Sequence, residues 1–382
     1  MKRHAEIAGA GIGGLTAGLA LASRGWSVRV HEQDGTLRIP GAGIFIFENG
    51  LRVLETLGVI DQVIDGVIRA RRLEMRDYDG RAFSKGAFTA QGRLYVPLRR
   101  ALLVALRDAL LQKGGEIVFN SRTVTADPDG RLHFENGTSA KADLVIAADG
   151  VNSSIRDSLN LLKWRRSVGQ HGFRCMIQRT PEELVTDEGK VLTENWNGSR
   201  RLLYAPCTAE ETYVQLTSVT GDAEGNAVPI KHDYWHRVFP KLGWIIDRVP
   251  ATGHSDWFTL VRLHAWHKGR VVVLGDAANA QPPFLGQGGG CAMMAALSLA
   301  YELDARDDID EAIAVWEARE KPFIERVQMT AYFYGQMAFT PPLVRRNFFR
   351  MMSKLHWLRR RTTLIAALRN PPGAIVSPLA AE

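Results

Sequence analysis

The hydrophobic pattern of this chain changes period several times. A short apolar run ending at Ile7-Ala8 opens into glycines, continues as an apolar stretch through Ala22, and closes on Ser27-Val28-Arg29-Val30 before Glu32, so residues 7–32 read as strand, tight turn, helix and strand. Apolar residues at helical spacing (Leu51, Leu54, Leu57, Ile60, Ile64) predict one amphipathic helix over 49–64. Residues 73–76 and 92–96 look like strands of a separate sheet, and Pro97 leads into a helix carrying Arg99 near its start. Residues 116–119, 123–126 and 131–136, with the turn formers Asp127-Pro128-Asp129-Gly130, predict a small hairpin insertion. Residues 143–150 form a continuous apolar run, the mark of a buried parallel strand, and end on Asp149-Gly150.

From 164 to 263 the character becomes that of aromatic-rich antiparallel strands, with one helix near 234–238. At 270–274 a buried strand returns, followed by helices over 291–303 and 309–337. The reading is a mixed α/β (α+β) chain. A discontinuous dinucleotide domain takes 1–70, 98–163 and 264–330, a substrate domain takes 71–97 and 164–263, and a basic helical segment takes 331–382.

Chemistry enters with the glycines. In Gly9-x-Gly11-x-x-Gly14 the first permits the turn, the second admits a pyrophosphate to the backbone, and the third lets helix and strand pack closely. Glu32, beside Gln33, stands about 20 residues on, where a carboxylate accepts hydrogen bonds from ribose hydroxyls. This stretch alone leaves NAD and FAD both open. A glycine-rich loop bearing Arg38 can run along a flat ligand. A second glycine-rich loop, Pro282-Pro283-Phe284-Leu285-Gly286-Gln287-Gly288-Gly289-Gly290, meets a second helix N-terminus, and two backbone anion sites suit a large dinucleotide with a reactive ring.

Composition narrows the class without naming it. With 382 residues, 46% hydrophobic and 23% charged, the chain is long enough for two domains and is not disordered. It shows no run of membrane-spanning length and no signal-peptide pattern, so a cytoplasmic protein is expected. Cys175, Cys207 and Cys291 lie too far apart for metal or redox spacing, and no metal site is expected. The net charge of +7 is concentrated in Arg345, Arg346, Arg350, Lys354, Arg359, Arg360, Arg361 and Arg369. A solvated helical face or a subunit contact is expected there, ahead of a peripheral membrane contact, and nucleic acid is not expected without a recognition motif. A homo-oligomer is compatible with this reading.

Three motifs in order resemble the single-component FAD-dependent aromatic hydroxylases, which have the glutathione-reductase type of FAD fold. They are Gly9-x-Gly11-x-x-Gly14 with Glu32; Asp149-Gly150-Val151-Asn152-Ser153-Ser154-Ile155-Arg156, matching DGxxSxxR; and Gly275-Asp276 followed by Pro283 and Gly286-Gln287-Gly288. The resemblance implies bound FAD: Gly11, Ile12 and Gly13 at its phosphates, Glu32 at the adenosine ribose, and Arg38 and Arg99 along it. It further puts Val124 at the adenine, Asp276 at the ribityl chain, and Gly286, Gly288 and Gly289 beside the isoalloxazine, with a less direct role for Asp149.

Within the family the chain resembles the hydroxypyridine-carboxylate oxygenases in the runs Gly41-Ala42-Gly43-Ile44, Leu203-Tyr204-Ala205-Pro206-Cys207 and Gln287-Gly288-Gly289-Gly290-Cys291-Ala292-Met293. That likeness implies a substrate arginine at Arg201 and a substrate tyrosine at Tyr213, with Tyr204 a further contact and Pro283 shaping a water-poor pocket. Two tyrosines of that branch fall on Leu73 and Phe45 here, and the histidine of the GDAAH motif on Asn279. The implied activity is NAD(P)H- and dioxygen-dependent hydroxylation, or ring opening, of a hydroxylated aromatic or N-heteroaromatic acid through a flavin C4a-hydroperoxide. Alternatives are a flavin-binding protein without oxygenase turnover, or a halogenase or reductase on the same fold; no WxWxIP-like segment is present.

Overall fold

The first apolar run becomes the strand His4–Ala8 in a six-stranded sheet ordered His267–Lys268, Val271–Val273, Leu144–Ala147, His4–Ala8, Ser27–His31, Glu116–Val118. This computed structural model describes residues 2–37, 42–89 and 92–375. Every neighbouring pair in the sheet is parallel except the first. A parallel strand covered on both faces has no polar side, and Leu144–Ala147 and Val271–Val273 are buried at every position. Helices Ile12–Ala22, Arg99–Gln112 and Gly288–Ala305 pack on one another in the same apolar core. A three-stranded sheet, Thr123–Asp127, Arg131–Phe134 and Ser139–Lys141, adds Ala126 and Leu132 to it.

A second sheet of seven strands is ordered His254–Leu263, Leu162–Gln178, Glu211–Val219, Arg200–Pro206, Val191–Asn197, Arg72–Asp77, Ala82–Ala87. It is antiparallel save for Val191–Asn197 beside Arg72–Asp77. The long helix Ile309–Gln336 joins the two regions. Asp308 caps its N-terminus by accepting from the amides of Asp310 and Glu311, and Gln328 Nε2 donates to the carbonyls of Val261 and Ala280.

Four expectations need correction. The predicted helix over 49–64 is two, Glu48–Thr56 and Ile60–Ile64, because Gly58 turns the chain at φ +72°. The strand expected over 92–96 is reduced to Leu94–Tyr95, which pairs with Ile46–Phe47 outside the large sheet. Residues 116–118 belong to the parallel sheet, and the third strand of the hairpin insertion is Ser139–Lys141. The basic segment is not simply a solvated face: Arg345 is buried and donates to the Gly198 carbonyl, Arg369 pairs with buried Glu320, and Arg359 lines the central cavity. Among the described residues no helix is long and apolar enough to cross a membrane.

Candidate active site

The two glycine loops face one cavity of about 540 Å3 that runs from the six-stranded sheet to the seven-stranded one. At its first end Gly9 takes φ +96°, and a Cβ there would lie 2.5 Å from the Ala148 carbonyl oxygen. A Cβ on Gly14 would lie 2.0 Å from the Gly9 oxygen, so both positions exclude a side chain. At Gly11 a Cβ would meet nothing within 4 Å. The space in front of the helix Ile12–Ala22 is therefore open just where its first amides have no intrahelical acceptor. Gly11, Ile12 and Gly13 all line the cavity. Glu32 is buried and accepts from the amides of Ala10 at 3.1 Å and Asp34 at 3.2 Å, tying the second strand to the glycine turn.

The second loop closes the other side. Gly286, at φ +62°, ends the short turn Pro283–Leu285, and a Cβ there would press on Phe45 at 2.9 Å. Gly288 and Gly289 open the helix Gly288–Ala305, so its free amides also look into the cavity. Arg99 and Asp276 line it between the two loops. Solvent in the cavity reaches Asp276, whose deep setting raises its carboxyl while Arg99 and Arg174 pull it back. The DGxxSxxR motif is a brace for these loops. Ser153 accepts from the Arg156 amide, and the buried Arg156 guanidinium donates to the carbonyls of Val151 and Ala277 at 3.1 Å each. Burial raises Asp149, and its Oδ1 has no hydrogen-bond partner among the described residues. Open glycine backbones, an orphaned carboxylate oxygen and two helix N-termini fit an adenine dinucleotide.

Towards the seven-stranded sheet, Phe45, Leu73, Tyr213, Pro283 and Phe284 line the cavity. Tyr213 donates to Gln215 Oε1 at 3.2 Å, packs edge-on to Phe45, and has its hydroxyl pushed up to about 12 by burial. Met75, Phe88 and Leu192 add apolar wall beside Leu73, as do Phe348, Phe349, Met352 and Leu364 from the C-terminal segment, while Lys85 and Arg359 bring positive charge to the same lining.

Several expected residues are not in the cavity wall. Tyr204 points to the opposite face of the seven-stranded sheet, where it packs against Trp244, because neighbours Leu203 and Ala205 take the cavity face. Arg201 stands one layer back: its guanidinium lies 4.7 Å from the Phe284 ring centroid and 5.7 Å from that of Trp196, and 3.5 Å from Glu194. Glu194, not Arg201, reaches the cavity. Gln33 is exposed, Val124 is half-buried in its strand outside the cavity wall, and Arg38 lies outside the described residues. Glu194 was missed because a lone acid in VLTENWN carries no motif, although the alternation Leu192, Glu194, Trp196 puts it on one face with large apolar neighbours.

A family profile described as FAD binding domain matches residues 3–309. The chain belongs to the FAD-dependent aromatic monooxygenases. It is 40% identical, over 92% of both chains, to a probable 2-heptyl-3-hydroxy-4(1H)-quinolone synthase of Rhodococcus erythropolis. It is 39% identical to the 2-heptyl-3-hydroxy-4(1H)-quinolone synthase of Mycobacteroides abscessus, over 90% of this chain and 92% of that one. Among solved structures, the tetrameric form of 2-methyl-3-hydroxypyridine-5-carboxylic acid oxygenase superposes with a TM-score of 0.87 at 34% identity, over 98% of this chain and 99% of that one. The chain is thus an FAD-binding oxidoreductase.

Proposed function

We propose that this monooxygenase uses NAD(P)H and dioxygen to hydroxylate carbon 3 of a 2-alkyl-4(1H)-quinolone. The observation that carries this reading is the apolar arm of the cavity. Leu73 and Phe45, on which the resemblance sets two tyrosines of the pyridine branch, line it, and Phe348, Met352 and Leu364 of the C-terminal segment add further apolar wall. A small polar acid would leave that wall facing water, whereas an alkyl chain of several carbons gains roughly 0.8 kcal/mol per buried methylene. The names of the two quinolone synthases support the same substrate class. The balance is quinolone, dioxygen, NAD(P)H and a proton giving the 3-hydroxyquinolone, NAD(P)+ and water.

Bound FAD supplies electron transfer from the nicotinamide to dioxygen and the activated oxygen atom. The chain's own residues hold and shield. Gly9, Gly11, Ile12, Gly13 and Gly14 would cradle the phosphates, with Glu32 at the ribose. Arg99 and Asp276 would flank the middle of the cofactor, with Asp149 and its brace beneath. Pro283 through Gly289 would lie beside its ring. Tyr213 would pack on the substrate ring, and Phe284 with Pro283 would keep water from the reacting carbon. In this arrangement the six-stranded sheet and its helices form the cofactor domain, and the seven-stranded sheet forms the substrate domain.

The test is NAD(P)H consumption by the yellow protein against a panel of 2-alkyl-4(1H)-quinolones, hydroxybenzoates and hydroxypyridine carboxylates. A quinolone of middle chain length should accelerate it at least tenfold. Acceleration by the acids alone would overturn the reading.

A further inference from the structure

Two carboxyl groups of the cavity wall are left unused by the proposed reaction: Asp256, which pairs with Arg174 and His254, and the buried Glu194. Glu194 sits in the strand Val191–Asn197, opposite Leu203 on one side and Met75 on the other. It is 4% exposed, and its side chain lines the cavity between apolar neighbours. The charged and titratable groups facing it are Arg201 at 3.5 Å from the neighbouring strand and the Tyr334 hydroxyl at 3.4 Å from the long helix, with Arg359 acting on Tyr334 from beyond. All three guanidinium nitrogens of Arg201 are buried without a hydrogen-bond partner among the described residues. A guanidinium cannot shed its proton, so Glu194 is its counter-ion. Burial raises the Glu194 carboxyl, and Arg201, Trp196 and Tyr334 oppose that rise.

We infer that Glu194 is the group that receives the ring N–H of the substrate, both binding it and removing its proton as carbon 3 reacts. The inference rests on the quinolone reading above. In a 4(1H)-quinolone the nitrogen lone pair feeds carbon 3 through the carbon 2–carbon 3 double bond. As the bond from carbon 3 to the incoming oxygen forms, the oxygen–oxygen bond of the donor breaks and its electron pair leaves with the departing oxygen. The N–H proton passes to the Glu194 carboxylate, leaving a neutral carbon–nitrogen double bond. The carbon 3 proton then passes to the departing oxygen, neutralising it, and Glu194 returns its proton to nitrogen, which restores the aromatic ring. A carboxylate at this point also repels a substrate carboxylate, so the same residue separates quinolones from the aromatic acids used elsewhere in the family. Arg201 is then a positioning residue, holding Glu194 charged and in place from behind Phe284.

Two kinds of measurement test this on the FAD-loaded protein. The first is binding, read from perturbation of the flavin absorbance without turnover. Wild type should bind 2-heptyl-4(1H)-quinolone about 30-fold more tightly than its N-methyl derivative, and Glu194→Ala should reduce that ratio below threefold. The second is the pH profile. In wild type kcat/KM should rise with pH as Glu194 ionises; Glu194→Gln should lower it about 100-fold and flatten the rise, while Arg201→Met should move the rise to higher pH. An N-methyl derivative bound as tightly as the parent by wild type, or a Glu194→Gln variant within threefold of wild type with its pH limb intact, would overturn the role of Glu194 while leaving quinolone turnover standing. A wild-type protein that neither binds nor oxidises any quinolone would overturn the function itself, and this inference with it.

Discussion

Gly14 carries the sharpest prediction at the scale of single residues. Its missing side chain leaves 2.0 Å between a would-be Cβ and the Gly9 oxygen, and that oxygen belongs to backbone that cannot rotate away. Gly14→Ala should destabilise the protein by about 3 kcal/mol or more and release FAD on gel filtration; a variant retaining full flavin and an unchanged Tm would show that the turn has room. Glu74 sets a pH dependence. Burial would raise its carboxyl, but hydrogen bonds from Arg72, Arg76 and Lys85 outweigh this and hold it at about 2. A depressed carboxylate stabilises the fold above its unfolded value and loses that contribution as pH falls from about 4.5 towards about 2. Glu74→Gln should therefore be less stable than wild type at pH 7 by about 3 kcal/mol at most, with the two melting curves converging below pH 3. At this scale the glycines and the DGxxSxxR residues were legible because backbone geometry dictates their type. Glu194 and the true orientation of Tyr204 were not, since which face of a strand meets the cavity depends on pairing with strands far away in sequence.

Among the elements, the C-terminal helices have the clearest consequence. Pro342–Lys354 brings Phe348, Phe349 and Met352 to the cavity, and the turn after His356–Arg361 brings Leu364. The arm they complete should set the length of alkyl chain accepted. Met352→Trp should raise KM for 2-heptyl-4(1H)-quinolone at least tenfold and leave 2-methyl-4(1H)-quinolone within twofold of wild type, measured by NAD(P)H consumption. Equal losses on both substrates would place the arm elsewhere. The apolar strands 144–147 and 271–273 were readable from composition alone, because burial on both faces leaves no polar side. The break at Gly58 and the pairing of Leu94–Tyr95 with Ile46–Phe47 were not, since helical spacing survives a turn and a two-residue pairing has no period to detect. The basic tail was legible in part: Arg350, Lys354, Arg360 and Arg361 are exposed, as a solvated face requires. Arg345 and Arg369 instead find acceptors in the Gly198 carbonyl and the buried Glu320 that no local pattern announces.

For the whole molecule, two sheets share one cavity, and the long helix from Ile309 to Gln336 links them. The dinucleotide end follows from the glycines of the two loops, and the end proposed for the substrate from strands and helices between and after them. The three cysteines are buried and unpaired, with thiols pushed up to about 12, so alkylating reagents should leave the native protein's flavin content unchanged. The central claim concerns one oxygen atom on one carbon. Turnover of 2-heptyl-4(1H)-quinolone under 18O-labelled dioxygen, followed by mass spectrometry of the product, tests it directly. The expected product carries a single labelled oxygen at carbon 3 with the ring intact. A ring-opened product with two added oxygens, or unlabelled starting material after NAD(P)H is spent, would contradict it.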